Sequence, residues 1–261
     1  EFMTTNPTDP NEVCLTGENS FIRLQMERGA PQITRISHWR VLYSPSGPGH
    51  VLFLKSDLVD DEVLVYADNI LLARWLQGEI ESFLFPEFAD QNLPVINAEF
   101  TKSGDGRSFW TETVESEEDT ILLTWYDFLA PFMLRVEAGS APGRPHGVYS
   151  CFIPSRKAQV TFNGLVAQGQ PILETRGDKS SSTSCLAWSE TWVNTESDAE
   201  LLSFSAKVPN GRCAIVYRQT VRHVRTAQLY SYDLCGVRSL VGEMHFNEWS
   251  WSPNIAIGDS C

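Results

Sequence analysis

From Phe21 onward the sequence keeps returning to one pattern: a short run alternating apolar and polar residues, closed by a cluster of Gly, Pro, Asn, Asp or Ser. Alternate residues of a strand face opposite sides, so a run of this kind separates a buried face from a wet one only when extended. Such runs occupy 20–26, 32–36, 38–44, 50–55, 62–67, 95–102, 107–115, 119–127, 131–137, 147–153, 158–162, 165–168, 184–193, 200–206, 212–221 and 224–231. Strands in that succession, with turn signals between them, belong to antiparallel sandwiches or barrels and are too many for a two-layer α/β protein. Residues 1–18 lack the pattern and are expected as a flexible tail, with Glu1-Phe2 reading as a vector-derived dipeptide before Met3; 19–261 are expected as a single β-rich domain.

One segment departs from period two. In DNILLARWLQGEIESFLF, residues Leu72, Trp75, Leu76, Ile80, Phe83 and Leu84 recur at three- and four-residue steps behind Asp68 or Asn69 as an N-cap, and Pro86 ends the run. This predicts one substantial helix of about 15 residues whose apolar stripe lies on a sheet or plugs a barrel end. Gly78 weakens it by roughly 1 kcal/mol relative to Ala. No glycine-rich phosphate loop precedes the helix. Asn163-Gly164, between AQVTF and LVAQG, predicts a hairpin with a type I′ turn, because both central residues of that turn need positive φ. Residues 138–147 and 168–184 read as long polar connections, and Arg176-Gly177-Asp178 as a chance tripeptide.

Composition narrows the function classes. A formal charge of −13 is the wrong sign for neutralising phosphates, so neither nucleic acid nor an anionic membrane surface is expected as a partner. With no signal-peptide pattern and no long apolar run, a soluble cytoplasmic protein is expected. The 6 cysteines stand far apart, at Cys14, Cys151, Cys185, Cys213, Cys235 and Cys261, and are expected to be reduced thiols rather than zinc ligands.

The 8 tryptophans carry the functional argument, because several sit beside acids. SFWTETVES at 108–116 and LAWSETWVNTES at 186–197 share a Trp-(Thr/Ser)-Glu-Thr core. On a strand, Trp110 and Glu112 share a face; so do Leu186, Trp188, Glu190 and Trp192; and so do Ile121, Leu123, Trp125 and Asp127. Those apolar neighbours are expected to carry the carboxyls inward, where each must be paired, hydrogen-bonded or kept protonated by a raised pKa. Pairing with Arg135, Arg218 or Arg222 would make a structural bridge; a raised pKa would make a general acid.

His38 shares a face with Arg40 and reads as either a buried hydrogen-bonded histidine or a cavity ligand. His50 and His146 each stand where a Pro/Gly turn enters a strand, at the rim of a barrel or sandwich, and His146 with Arg144 is the preferred base or oxyanion partner. No metal-binding spacing, nucleophile elbow or activated cysteine is present, so neither metal nor cofactor is expected.

The expectation is therefore an all-β, predominantly antiparallel fold with one substantial helix, a large barrel preferred over a two-sheet sandwich and lipocalin-like by analogy of architecture alone. Its expected function is cofactor-independent acid/base catalysis (lyase, dehydratase, isomerase or cyclase) on a hydrophobic or aromatic-accommodating small molecule in a Trp-lined cavity. Glu190, Glu112, Asp127, His146 and His38 are the candidate catalytic groups, and Trp110, Trp125, Trp188, Trp192 and Arg144 the candidate substrate contacts. The alternatives are a carbohydrate-active or carbohydrate-binding β protein and a non-catalytic binding protein.

Overall fold

The computed structural model describes residues 13–59, 62–104, 108–136, 147–176, 179–192, 204–207, 213–217, 226–232 and 238–245. Most are strand. The first five strands are β1 (Val13–Gln25), β2 (Gln32–Tyr43), β3 (Gly49–Ser56), β4 (Val63–Ala67) and β5 (Val95–Asn97). Six more follow: β6 (Glu99–Gly104), β7 (Phe109–Glu115), β8 (Thr120–Phe128), β9 (Phe132–Val136), β10 (Gly147–Phe162) and β11 (Leu165–Val166). Strand β14 (Ser184–Trp192) completes a 12-stranded sheet in the order β5-β4-β3-β2-β1-β14-β10-β8-β7-β6, with β9 and β11 also paired to β10. Before β14, β12 (Leu173–Arg176) and β13 (Lys179–Ser182) pair antiparallel; after it, β15 (Phe204–Lys207), β16 (Cys213–Tyr217), β17 (Thr226–Tyr232) and β18 (Arg238–His245) form a four-stranded sheet.

The large sheet is a nearly closed barrel, and the chain itself explains the closure. Its two end strands, β5 and β6, are consecutive, with only Ala98 between them. The Ala98 amide donates to the Ala67 carbonyl at 3.2 Å, and the Tyr66 hydroxyl donates to Asp119 Oδ2 at 2.7 Å across the same seam. All pairings are antiparallel except β4 with β5. The run 95–102, expected as one strand, is thus two strands of a bent chain, each paired to a different side of the seam.

Period-two alternation sorts the side chains into two cores. Ile22, Ile36, Leu52, Leu54, Trp110, Val114, Ile121, Leu123, Trp125 and Leu186 fill the barrel interior. Phe21, Trp39, Val41, Val51, Phe53 and Val65 lie on the opposite face of β1–β4, and helical residues Leu72, Ala73, Leu76 and Ile80 cover them. The expected helix is present: Asn69 caps α1 (Ile70–Leu76), accepting from the Leu72 amide. A π-helical turn, Gln77–Glu81, follows, and Ser82–Leu84 finish the run. Its stripe lies outside the barrel, against the sheet.

The π turn puts an acid where a straight α-helix would not. Glu81 is fully buried; its Oε1 accepts from the Ser37 hydroxyl at 2.7 Å and from the Trp39 indole N–H, while its Oε2 has no partner among the described residues. Burial pushes its carboxyl up to about 7 despite those hydrogen bonds and the nearby Arg23.

Two expectations about connections need correction. Strand β1 starts at Val13, inside the stretch expected as a tail, and Leu15 is fully buried. Thr16-Gly17 resembles turn chemistry, but Gly17 marks close approach: a Cβ there would meet the Arg40 carbonyl oxygen at 2.6 Å. The Ser-rich connection 168–184 contains the antiparallel β12–β13 pair, and its Ser181, Ser182 and Ser184 are buried. The Asn163-Gly164 hairpin stands as expected, with φ of 47° and 82°.

Candidate functional site: the barrel mouth

The inward faces of β1, β2, β3, β6 and β7 change character toward one end of the barrel. Leu24, Ile22, Ser20 and Glu18 follow one another on β1, opposite Thr34, Ile36, His38 and Arg40 on β2. His38 and Arg40 stand in turn opposite Leu52 and His50 on β3. Across the seam, Lys102 pairs in register with Glu112. An apolar interior thus becomes a charged mouth within two residues per strand.

A pocket of about 980 Å³ opens there, lined by Glu18, Arg40, His50, Asp68, Phe100 and Lys102, with Leu42, Ile70 and Leu71 as an exposed apolar lip. That volume is in the range of small-molecule sites. The helix start supplies Ile70 and Leu71, so the element that covers the outer sheet also shapes the pocket rim.

His50 and Asp68 form a fixed pair. The His50 backbone N–H donates to Asp68 Oδ1 at 2.7 Å, and His50 Nδ1 lies 2.7 Å from Asp68 Oδ2. Burial opposes ionisation of Asp68, but the hydrogen bonds from the His50 side chain and backbone prevail and lower its pKa. Gly49 makes room for this contact, because a Cβ there would stand 2.7 Å from Asp68 Oδ1. With Nδ1 held by the carboxylate, Nε2 is the ring nitrogen left for a ligand. The imidazole stacks on Phe100, 5.1 Å between centroids and 15° from parallel.

Behind this pair lie buried charges. Arg40 and Glu18 are ion-paired, with side chains only 8% and 9% exposed. Glu112, on the inward face as the alternation requires, is buried and accepts from the Trp110 indole N–H at 2.8 Å. Burial pushes its carboxyl up to about 7; Arg40 pulls it down, Glu18 pushes it up, and the Trp110 bond and His50 pull it down. His38 is 1% exposed, and among the described residues neither ring nitrogen has a hydrogen-bond partner. Burial holds its pKa well below the usual imidazole value, with His50 and Arg40 acting in the same direction.

The structure thus gathers Glu112 and His38 around one end of the barrel. Trp110 and Trp125 are inward, yet they belong to the solid interior and do not line the pocket. Trp125 donates to the Phe21 carbonyl at 3.2 Å and Trp110 to Glu112, so both indole N–H groups are satisfied within the protein. The mouth pocket is walled by Phe100 and aliphatic side chains rather than indole. Asp127 is exposed: its φ of 56° breaks the pleat after Trp125 and turns it outward, 3.8 Å from Arg156. His146 and Arg144 lie outside the described residues. So do the side chains of Trp188, Glu190 and Trp192, although their backbone belongs to β14, with Trp188 in register with Glu18 and Glu190 with Thr16.

Sequence reasoning missed Glu18, Asp68, Phe100 and Lys102, and ranked His50 below His146. Gly-His entering a strand, opposite an Arg two residues beyond an inward His, is the signal that could have found His50. Among the described residues, no three His, Cys, Asp or Glu side chains are grouped to hold a metal, and no helix is long and apolar enough to cross a membrane.

No family model and no curated protein matches the sequence. Among solved structures, one from Nitrosomonas europaea described as a "putative AttH" matches 88% of this chain and 68% of its own length at 12% identity, with a TM-score of 0.31; a likeness that weak carries no argument.

Proposed function

We propose that the protein is a cofactor-independent acid/base enzyme acting on a hydrophobic small molecule held in the barrel mouth. The observation that carries this reading is the His50–Asp68 pair on the wall of a ligand-sized pocket, with a buried carboxyl behind it that titrates near neutrality. His50 Nε2 takes a proton from the ligand, and the Asp68 carboxylate stabilises the imidazolium that forms. Glu112, half protonated near neutral pH, is the group able to return a proton, while the Arg40 and Lys102 cations favour negative charge developing on a ligand oxygen. The apolar lip of Leu42, Ile70 and Leu71 selects for apolar ligands. Relocating a proton in this way needs no oxidant, so the reaction is an isomerisation, elimination, hydration or cyclisation.

The test is solvent-deuterium incorporation into a panel of apolar ketones, enones and alcohols in D₂O, read by mass spectrometry. Incorporation or isomerisation with the wild type, lost in His50→Gln and Glu112→Gln, supports the reading. No incorporation across the panel, or activity equal in all three proteins, overturns it.

A further inference from the structure

His38 is the one imidazole of the barrel interior with neither nitrogen hydrogen-bonded among the described residues, although it is almost fully buried. Buried polar groups in folded proteins are nearly always partnered, because an orphaned one costs about 1–3 kcal/mol. A neutral imidazole carries one donor and one acceptor on opposite sides of the ring, and here both lack a mate. Its surroundings offer little: Ser20 stands opposite on β1 and Leu52 on β3.

Phe100 lies beside both His38 and the mouth. That ring stacks on His50 and is also 6.0 Å from the His38 ring, tilted by 40°. Phe100 is only partly buried and lines the pocket, so its outer side already faces the space a ligand would occupy. Phe100 is thus the side chain that meets both the pocket and the His38 ring.

We infer that the mouth pocket continues past Phe100 into a deep subsite whose polar anchor is His38, and that this subsite takes an uncharged oxygen, hydroxyl or carbonyl, at the leading end of an otherwise apolar ligand. The charge preference follows from position. Arg40, the nearest cation on β2, is already paired with Glu18, and Ile22, Ile36 and Leu52 surround the deeper level, where an ionised head would be left without compensation. His38 is then a binding and positioning residue: it fixes how far the ligand enters and therefore which atom rests against His50. The inference shares with the proposed function the reading of the mouth as a ligand site, but not the claim of proton transfer.

The probes are 1-decanol, decyl methyl ether and decanoate, with binding to the purified full chain read by tryptophan fluorescence. The ¹⁵N resonances of the histidines are followed in parallel and assigned to His38 by comparison with His38→Gln. Saturable 1-decanol binding that shifts the His38 nitrogens, with decanoate binding at least tenfold weaker, is expected. His38→Leu should weaken both 1-decanol and the ether several-fold, the alcohol the more because a hydroxyl can also donate to the second ring nitrogen, His38→Gln should restore much of the loss, and Phe100→Ala should speed association. No saturable 1-decanol binding, or wild-type His38 nitrogens that stay fixed at saturation, overturns the inference; the wild-type spectrum decides it even if His38→Leu fails to fold. Because only binding is read, loss of deuterium exchange in His50→Gln neither supports nor removes it.

Discussion

Replacing Glu81 by Gln isolates one consequence of burying an acid beneath the π turn. The Gln side chain has the same shape, and its Oε1 can accept the same two bonds from Ser37 and Trp39. Its Nε2 takes the place of an oxygen that already lacks a partner among the described residues. What disappears is the ionisation. Glu81 moves from 4.5 to about 7 on folding, so between those values the folded chain binds a proton the unfolded chain has released. Its contribution is therefore fully present below pH 4.5 and is lost as pH rises through about 7. At ~1.36 kcal/mol per pH unit, the span comes to roughly 3 kcal/mol. Urea unfolding at pH 5, 6, 7 and 8 should give variant and wild type within about 1 kcal/mol at pH 5. At pH 8 the variant should be about 2–3 kcal/mol more stable, at unchanged m-value, with a Tm higher by roughly 5–10 °C. Parallel curves with no divergence between pH 5 and 8, or a variant less stable at pH 8, would refute the reasoning.

Two further perturbations probe the mouth. Gly49→Ala places a methyl 2.7 Å from Asp68 Oδ1, so it should cost about 1–3 kcal/mol in urea unfolding and release His50, seen as loss of the hydrogen-bonded Nδ1 proton in NMR spectra. An undisturbed Nδ1 proton would contradict that geometry. Arg40→Met leaves the Glu18 carboxylate buried beside a missing cation and should destabilise by about 3–5 kcal/mol at pH 7, whereas the Glu18→Leu/Arg40→Met pair should recover most of the loss. Equal stability of the single and double variants would show that the pair is not what keeps these residues in place.

Features set by local chemistry were legible before any coordinates. The 3.6-residue spacing of Leu72, Leu76 and Ile80 marked the helix, Asn163-Gly164 marked its hairpin, and alternation on β7 placed Glu112 inward beside Trp110. What alternation cannot show is where it fails. One residue at φ 56° turns Asp127 to solvent, although Trp125 two positions earlier is fully buried. A π turn places Glu81 in the interior, because an extra residue in the helical repeat rotates the face that follows. Nor does spacing along one chain report which strands meet. The Glu18–Arg40 and His50–Asp68 pairs arise from β1, β2, β3 and β4 lying side by side, and the closing seam at Ala98 interrupts no periodicity at all. The mouth was hard to see because its residues are contributed singly, by different strands.

The proposed proton transfer requires Glu112 to keep its proton near neutral pH beside the mouth. Selective ¹³C labelling of glutamate carboxyls, with Glu112→Gln to assign the resonance, measures this directly. One carboxyl titrating with a midpoint near 7 and vanishing in the variant is the expected result. A Glu112 resonance with its midpoint near the ordinary 4.5 would contradict the account.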